Sequence, residues 1–152
     1  MKYLLEEVSR DHFPEPPATP EEIAEFEQRM GWQLDPDLRA FYLHCNGARM
    51  LSWMDSPYEI LSLPKIVRAR VAIKGQDDDS RGPAWVYALC YVRDGNYVLL
   101  DTSRQIDGRY PLMDGDHETW PLPEYDTQVA SSFSEFLEQI LRTRRSLYWL
   151  GE

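Results

Sequence analysis

Three histidines, two cysteines and two short acidic runs are the residues of this chain with the means to do chemistry. His12, His44 and His117 lie far apart, and no HExxH places two of them on one helix face to hold zinc. His44 precedes Cys45, but neighbours on a helix point about 100° apart, so the two do not form a nucleophile and its base. Cys45 falls on a helical stripe and Cys90 in a strand-like run. Neither has metal-ligand spacing, and both are expected to be reduced core residues. Asp77-Asp78-Asp79 offers carboxylate oxygens to a cation, yet consecutive loop residues rarely converge on one ion, and the spacing is not that of an EF-hand. Asp114, Asp116 and Glu118 alternate, so in a strand they share one face and His117 points to the other. That set reads as a solvated edge or an acidic patch for a basic partner rather than a metal site. The phosphate loops GxGxxG and GxxxxGK[ST] and the GxSxG elbow are absent. No catalytic residue, metal site or cofactor is expected.

Composition narrows the function further. The chain has 152 residues, which suggests one domain. A chain of this length buries roughly 70% of its unfolded surface and needs no staples. The hydrophobic fraction of 43% and aromatic fraction of 12% fit an ordinary core. The formal net charge is −10, which repels phosphate backbones and attracts basic partners. Direct nucleic-acid binding is therefore not expected. Glu6-Glu7 follows Met1-Lys2-Tyr3-Leu4-Leu5 at once, so there is no apolar leader, and no run is long enough to span a membrane. A soluble, cytoplasmic protein without a membrane partner is expected, with the oligomeric state open between a monomer and a weak dimer.

The elements that must position these residues are written most clearly in Thr19 to Gly47. Thr19 is a helix cap, Pro20 stands at the first helical position, and Glu22 completes a capping box. Ile23, Phe26 and Met30 form one apolar stripe, and Gly31 supplies the left-handed stop. Asp35-Pro36 repeats the start signal, Leu38, Phe41, Tyr42 and Cys45 form a second stripe, and Asn46-Gly47 ends it. Residues 1–13 read as a short helix before a stiff Pro14, Pro16, Pro17 connector. Tyr58 to Leu61 reads as a strand and Pro64 to Lys74 as a helix, with Ile66, Val67, Arg70 and Ile73 on one face. Residues 76–83 read as an exposed loop. Three Asp-Gly turns, at 94–95, 107–108 and 114–115, then mark an antiparallel meander whose last strand covers 117–122. Ser132 and Glu135 box the start of a closing helix striped by Phe133, Phe136, Leu137, Ile140 and Leu141. The order is α+β: N-terminal helices and a C-terminal helix packed around an antiparallel sheet. Most of the aromatics Trp53, Tyr58, Trp85, Tyr87, Trp120, Tyr125 and Trp149 are expected in its core.

Pro20-Glu21-Glu22-Ile23, Phe26-Glu27, Gly31, Leu34, Pro36, Phe41-Tyr42 and Asn46-Gly47 together resemble the opening signature of the SUKH superfamily. This is the family of the fungal cell-wall assembly regulator and of many bacterial immunity proteins. The Tyr58–Leu63 segment, Asp101 after a hairpin strand, and the helix start Ser132-Phe133-Ser134-Glu135-Phe136-Leu137 resemble its later parts. One departure is Asp35-Pro36, where the family commonly has Leu-Pro directly. The resemblance implies a curved antiparallel sheet wrapped by helices. It also implies either an immunity protein that neutralises a polymorphic toxin, often a nuclease or a deaminase, or a regulatory module that binds an endogenous protein. It carries no catalytic motif.

A protein-binding surface built from mixed acidic and aromatic side chains is then the expected site. The turn-rich segments supply the candidates. These are Trp53, Asp55, Tyr58 and Glu59, then Asp77, Asp78 and Asp79, then Asp114, Asp116, Glu118 and Trp120. The expected partner is a cognate protein toxin with a basic surface.

Overall fold

A computed structural model describes residues 1–52, 58–144 and 148–150. Helix α1 (Lys2–Asp11) buries Leu5 and Val8. The connector then forms a two-residue edge strand, β1 (Phe13–Pro14). Helix α2 (Pro20–Met30) starts in the expected box: Glu22 N donates to Thr19 Oγ1 at 3.1 Å and Thr19 N to Glu22 Oε1 at 2.9 Å. It stops at Gly31, whose φ of 81° is left-handed. Helix α3 (Pro36–His44) is capped by Asp35.

Strands β2 (Ala48–Met50), β3 (Tyr58–Ile60), β4 (Val67–Arg68), β5 (Val86–Tyr91), β6 (Tyr97–Asp101), β7 (Leu112–Gly115) and β8 (Gln128–Ala130) follow, with α4 (Ala69–Lys74) after β4. They complete one antiparallel sheet in the order β1-β2-β3-β5-β6-β7-β8, with β4 beside β3 along the same edge of β5. Asp94 and Gly95 at φ 55° and 80° make the tight turn between β5 and β6, as a two-residue hairpin requires. Register shifts at Ala88/Cys90 and Leu112/Met113 add to the curvature of the sheet. Helix α5 (Phe133–Thr143) closes the chain and buries its expected stripe.

Three expectations about the elements need correction. Pro64 to Lys74 is not one helix. A 3-10 turn (Leu63–Lys65) leads into β4, because Val67 and Arg68 pair with Ala88 and Tyr87. Pairing with a distant strand outweighs helical periodicity over so short a run. The meander does not continue through 117–122 either. Asp114 and Gly115 lie inside β7, and 116–122 is a turn closed by Trp120 N on Asp116 O at 2.9 Å. The α5 capping box is half made. Ser132 Oγ accepts from Glu135 N, but the Glu135 carboxylate takes Ser131 Oγ.

Strand register divides the sheet into two faces. One carries Ala48, Met50, Tyr58, Ile60, Cys90, Val98, Leu100 and Leu112 against the helices, and this is the main core. Trp32 joins it between Phe26, Tyr87 and Tyr110, with ring centroids 5.1–5.6 Å away. The other face carries Val86, Ala88, Leu99 and Met113, packed with Ala69 in a smaller cluster that Ala72, Ile73 and Trp120 help cover.

His12 joins the proline connector to the sheet. It is 7% exposed, and its Nδ1 accepts Leu51 N at 3.1 Å. Burial pushes its pKa down. The unfolded chain therefore takes up a proton first, and the His12 contribution to stability is lost as pH falls below the ordinary imidazole value of about 6.5. Melting temperatures measured from pH 7.5 to 5.5 are expected to drop less steeply for His12→Gln than for the wild type.

Candidate functional site

The loop of residues 76–82 is built inward as well as outward. Arg70, at the start of α4, is 6% exposed. Its Nε donates to Asp77 Oδ1 at 2.8 Å, and its Nη1 to Asp79 Oδ1 at 2.7 Å and to Gly82 O at 3.1 Å. Arg68 adds a second contact to Asp77 at 3.1 Å. The hydrogen bond from Arg70 holds the Asp77 carboxyl below its usual pKa. Asp78 caps the short Asp79–Arg81 turn through Ser80, whose bond lowers the Asp78 pKa in the same way. The expected acidic triad is thus largely loop architecture. Two arginines and one serine turn its charge toward holding residues 76–82 in place.

Gly82 carries that order to the next segment. The Trp120 ring lies where a side chain at Gly82 would stand, and Gly82 itself has φ 147°. Only glycine lets the ring pack on this loop. Trp120 therefore sits half-buried between the 76–82 loop and the smaller cluster on the open sheet face.

Around Trp120 lies a cleft of about 240 Å³, walled by Trp85, Asp101, Arg104, Met113, Asp114, Leu122, Tyr125 and Asp126 among others. Trp85 and Tyr125 are each 53% exposed and Leu122 is 48% exposed. Sequence reasoning places most such aromatics in the core. Trp85 escapes it because it precedes β5, and Tyr125 because it closes a 3-10 turn (Pro123–Tyr125) outside the sheet. The prolines beside each, Pro83 and Pro123, are the local signal that could have found them. Asp114 pairs with Val98 in register, so it leans toward the helix side. Burial, then the neighbouring Asp116, raises its pKa. Asp116 Oδ1 accepts Glu118 N at 2.9 Å, and Glu118 is exposed. The expected shared strand face of Asp114, Asp116 and Glu118 does not form, because the strand ends at Gly115.

The remaining candidates separate. Trp53 and Asp55 lie outside the described residues. Tyr58 is fully buried and meets Phe136 edge to face at 5.8 Å, so it is not offered to a partner. Its register opposite Met50 turns it toward the helices, a parity that its turn-rich setting hides. Glu59 faces the other way and meets Lys65 at 3.5 Å. It lines a second groove of about 870 Å³ with Phe13, Glu15, Glu22, Arg49, Ser52 and Lys65. Acidic and basic residues nearly balance there. Among the described residues, no three His, Cys, Asp or Glu side chains are grouped to hold a metal ion. Among them too, no helix is long and apolar enough to cross a membrane.

A helix-backed antiparallel sheet with an open, acidic and aromatic flank defines an α+β domain. The chain belongs to the SMI1 / KNR4 family (SUKH-1), whose family model matches residues 17–139. The resemblance carried by Thr19 to Gly47 is borne out. The chain is also 25% identical over 122 residues to the immunity protein YokJ of Bacillus subtilis (strain 168), a match covering 79% of this chain and 72% of that protein.

Proposed function

We propose that this protein is a cytoplasmic immunity protein that binds a cognate toxin and blocks its active site by occlusion. The observation that carries this reading is the match to an immunity protein along most of both chains. The net charge of −10 supports a basic toxin, of which a nuclease or a deaminase is the expected kind. The partner-facing residues in this reading are Glu59, Asp116, Glu118 and Trp120, joined by Trp85, Leu122 and Tyr125. Asp77, Asp78 and Asp79 contribute field rather than direct contacts.

The test is rescue by co-expression. Cells that express a toxin domain drawn from the genes adjoining this one are expected to survive when the protein is present and to die without it. No protection against that domain would favour a regulatory module for an endogenous partner. A second expectation follows from charge. Association with the toxin slows about tenfold or more between 50 mM and 500 mM salt, because steering contributes factors of that order. A tight complex whose association rate ignores salt would remove the electrostatic part of the proposal.

A further inference from the structure

The cleft beside Trp120 is small, aromatic and acidic at once. Small-molecule pockets run to about 300–1,000 Å³, and this one at about 240 Å³ suits one long side chain instead. The backbone beneath its walls is held before any partner arrives. Trp85 O accepts Thr102 N at 3.0 Å and Thr102 Oγ1 at 2.6 Å, so the backbone beneath its exposed indole is pinned. Trp120 rests on Gly82. Tyr125 N donates to Leu122 O at 3.0 Å, and Pro121 and Pro123 stiffen the same turn. A pre-formed site loses little side-chain freedom on binding.

Its charge selects the occupant. Asp101 and Asp126 line the cleft against one cation, Arg104, while Asp114 borders it with its side chain turned to the helix side. Arg104 already leans on Asp101 at 3.4 Å and on Gln128 at 3.3 Å. Asp101 also accepts Ser103 N at 2.9 Å and Ser103 Oγ at 2.6 Å. Asp126 is exposed at the rim. Aromatic faces beside a carboxylate favour a planar cation that stacks and forks, which is arginine rather than lysine.

We propose that the cleft between Trp85, Trp120 and Tyr125 receives an arginine side chain from a basic loop of the partner protein, with its guanidinium directed to Asp126. This rests on the toxin-binding reading for the identity of the partner, but the cleft can be tested without one. The probe is the acetylated, amidated hexapeptide Arg-Gly-Arg-Gly-Arg-Gly, with its lysine counterpart, titrated into labelled protein at low salt. The indole N–H signals of Trp85 and Trp120 are expected to shift with the arginine peptide. Its affinity should fall about fivefold or more in Trp85→Ala, Tyr125→Ala and Asp126→Asn, the scale of one cation–aromatic contact. Phe13→Ala, in the other groove, should bind as the wild type does. These side chains are exposed, and unchanged melting temperatures would verify that the variants fold. Still indole signals, wild-type affinity in all three cleft variants, or equal binding of the lysine peptide would overturn the proposal. Co-expression separates the two readings. If the wild type protects and the cleft variants protect equally, the cleft is wrong and the immunity function stands. If the wild type does not protect while the peptide result holds, the cleft stands and the toxin is the wrong partner.

Discussion

Asp35→Ala is expected to lower the unfolding free energy by about 3 kcal/mol, the sum of a lost helix cap near 1 and an orphaned buried donor near 2. The carboxylate does two jobs from a site 4% exposed. Oδ1 accepts Leu38 N at 2.9 Å and caps α3, while Oδ2 accepts Tyr110 N at 2.9 Å, from a segment 75 residues further along. Burial raises its pKa against the pull of those two amides. Alanine removes both acceptors. Asparagine keeps the cap but offers the Tyr110 amide no second acceptor, so its cost falls between alanine and the wild type. Urea denaturation of the three proteins checks the order, and an asparagine variant as stable as the wild type would mean that the Tyr110 bond contributes nothing.

Gly47→Ala is expected to cost a similar amount, about 3 kcal/mol, from left-handed strain and overpacking together. Gly47 has φ 98°, and a Cβ there would stand 2.8 Å from Ile60 O and 2.9 Å from Ser62 N. Both neighbours are backbone and cannot swing aside. The approach is close because three segments meet here. Gly47 O accepts Glu15 N at 2.9 Å, Asn46 N donates to Pro16 O at 2.9 Å, and Asn46 Oδ1 accepts Leu63 N at 2.9 Å. Tyr42 adds its hydroxyl, donated to Leu61 O at 2.6 Å. For a domain of this size the loss corresponds to roughly 6–12 °C in melting temperature. An unchanged melting temperature would show that the connector shifts to make room. Both substitutions act on folding and leave the exposed side chains around Trp120 in place, so a Gly47→Ala protein with wild-type stability would contradict this account.

These two sites show why the Thr19 to Gly47 stretch identifies the family. Its caps and stripes specify two helices, but Asp35 and Asn46-Gly47 also hold distant segments in place. The turn Asp94-Gly95 and the stripe of α5 are equally plain, since each depends on residues close in sequence. Arg70 shows the limit. Its spacing puts it on the same helical stripe as Ile66 and Ile73, yet its guanidinium faces the loop carboxylates. Nothing local to residue 70 reports that, because the partners are on the far side of a turn. The same applies to the acidic alternation at 114–118, where pairing between β6 and β7 ends the strand at Gly115.

The sequence by itself determined the capped helices, the α+β order, the acidic charge and the family. Caps, tight turns and apolar periods are decided by atoms within about four residues of one another, so a linear reading reaches them. The tertiary structure alone decided which carboxylates are tied to arginines and which aromatics stand in solvent. Exposure is set by strand parity and by what another segment lays across the face. That is why Tyr58 turned inward, and why Trp85, Trp120 and Tyr125 came together around one acidic cleft.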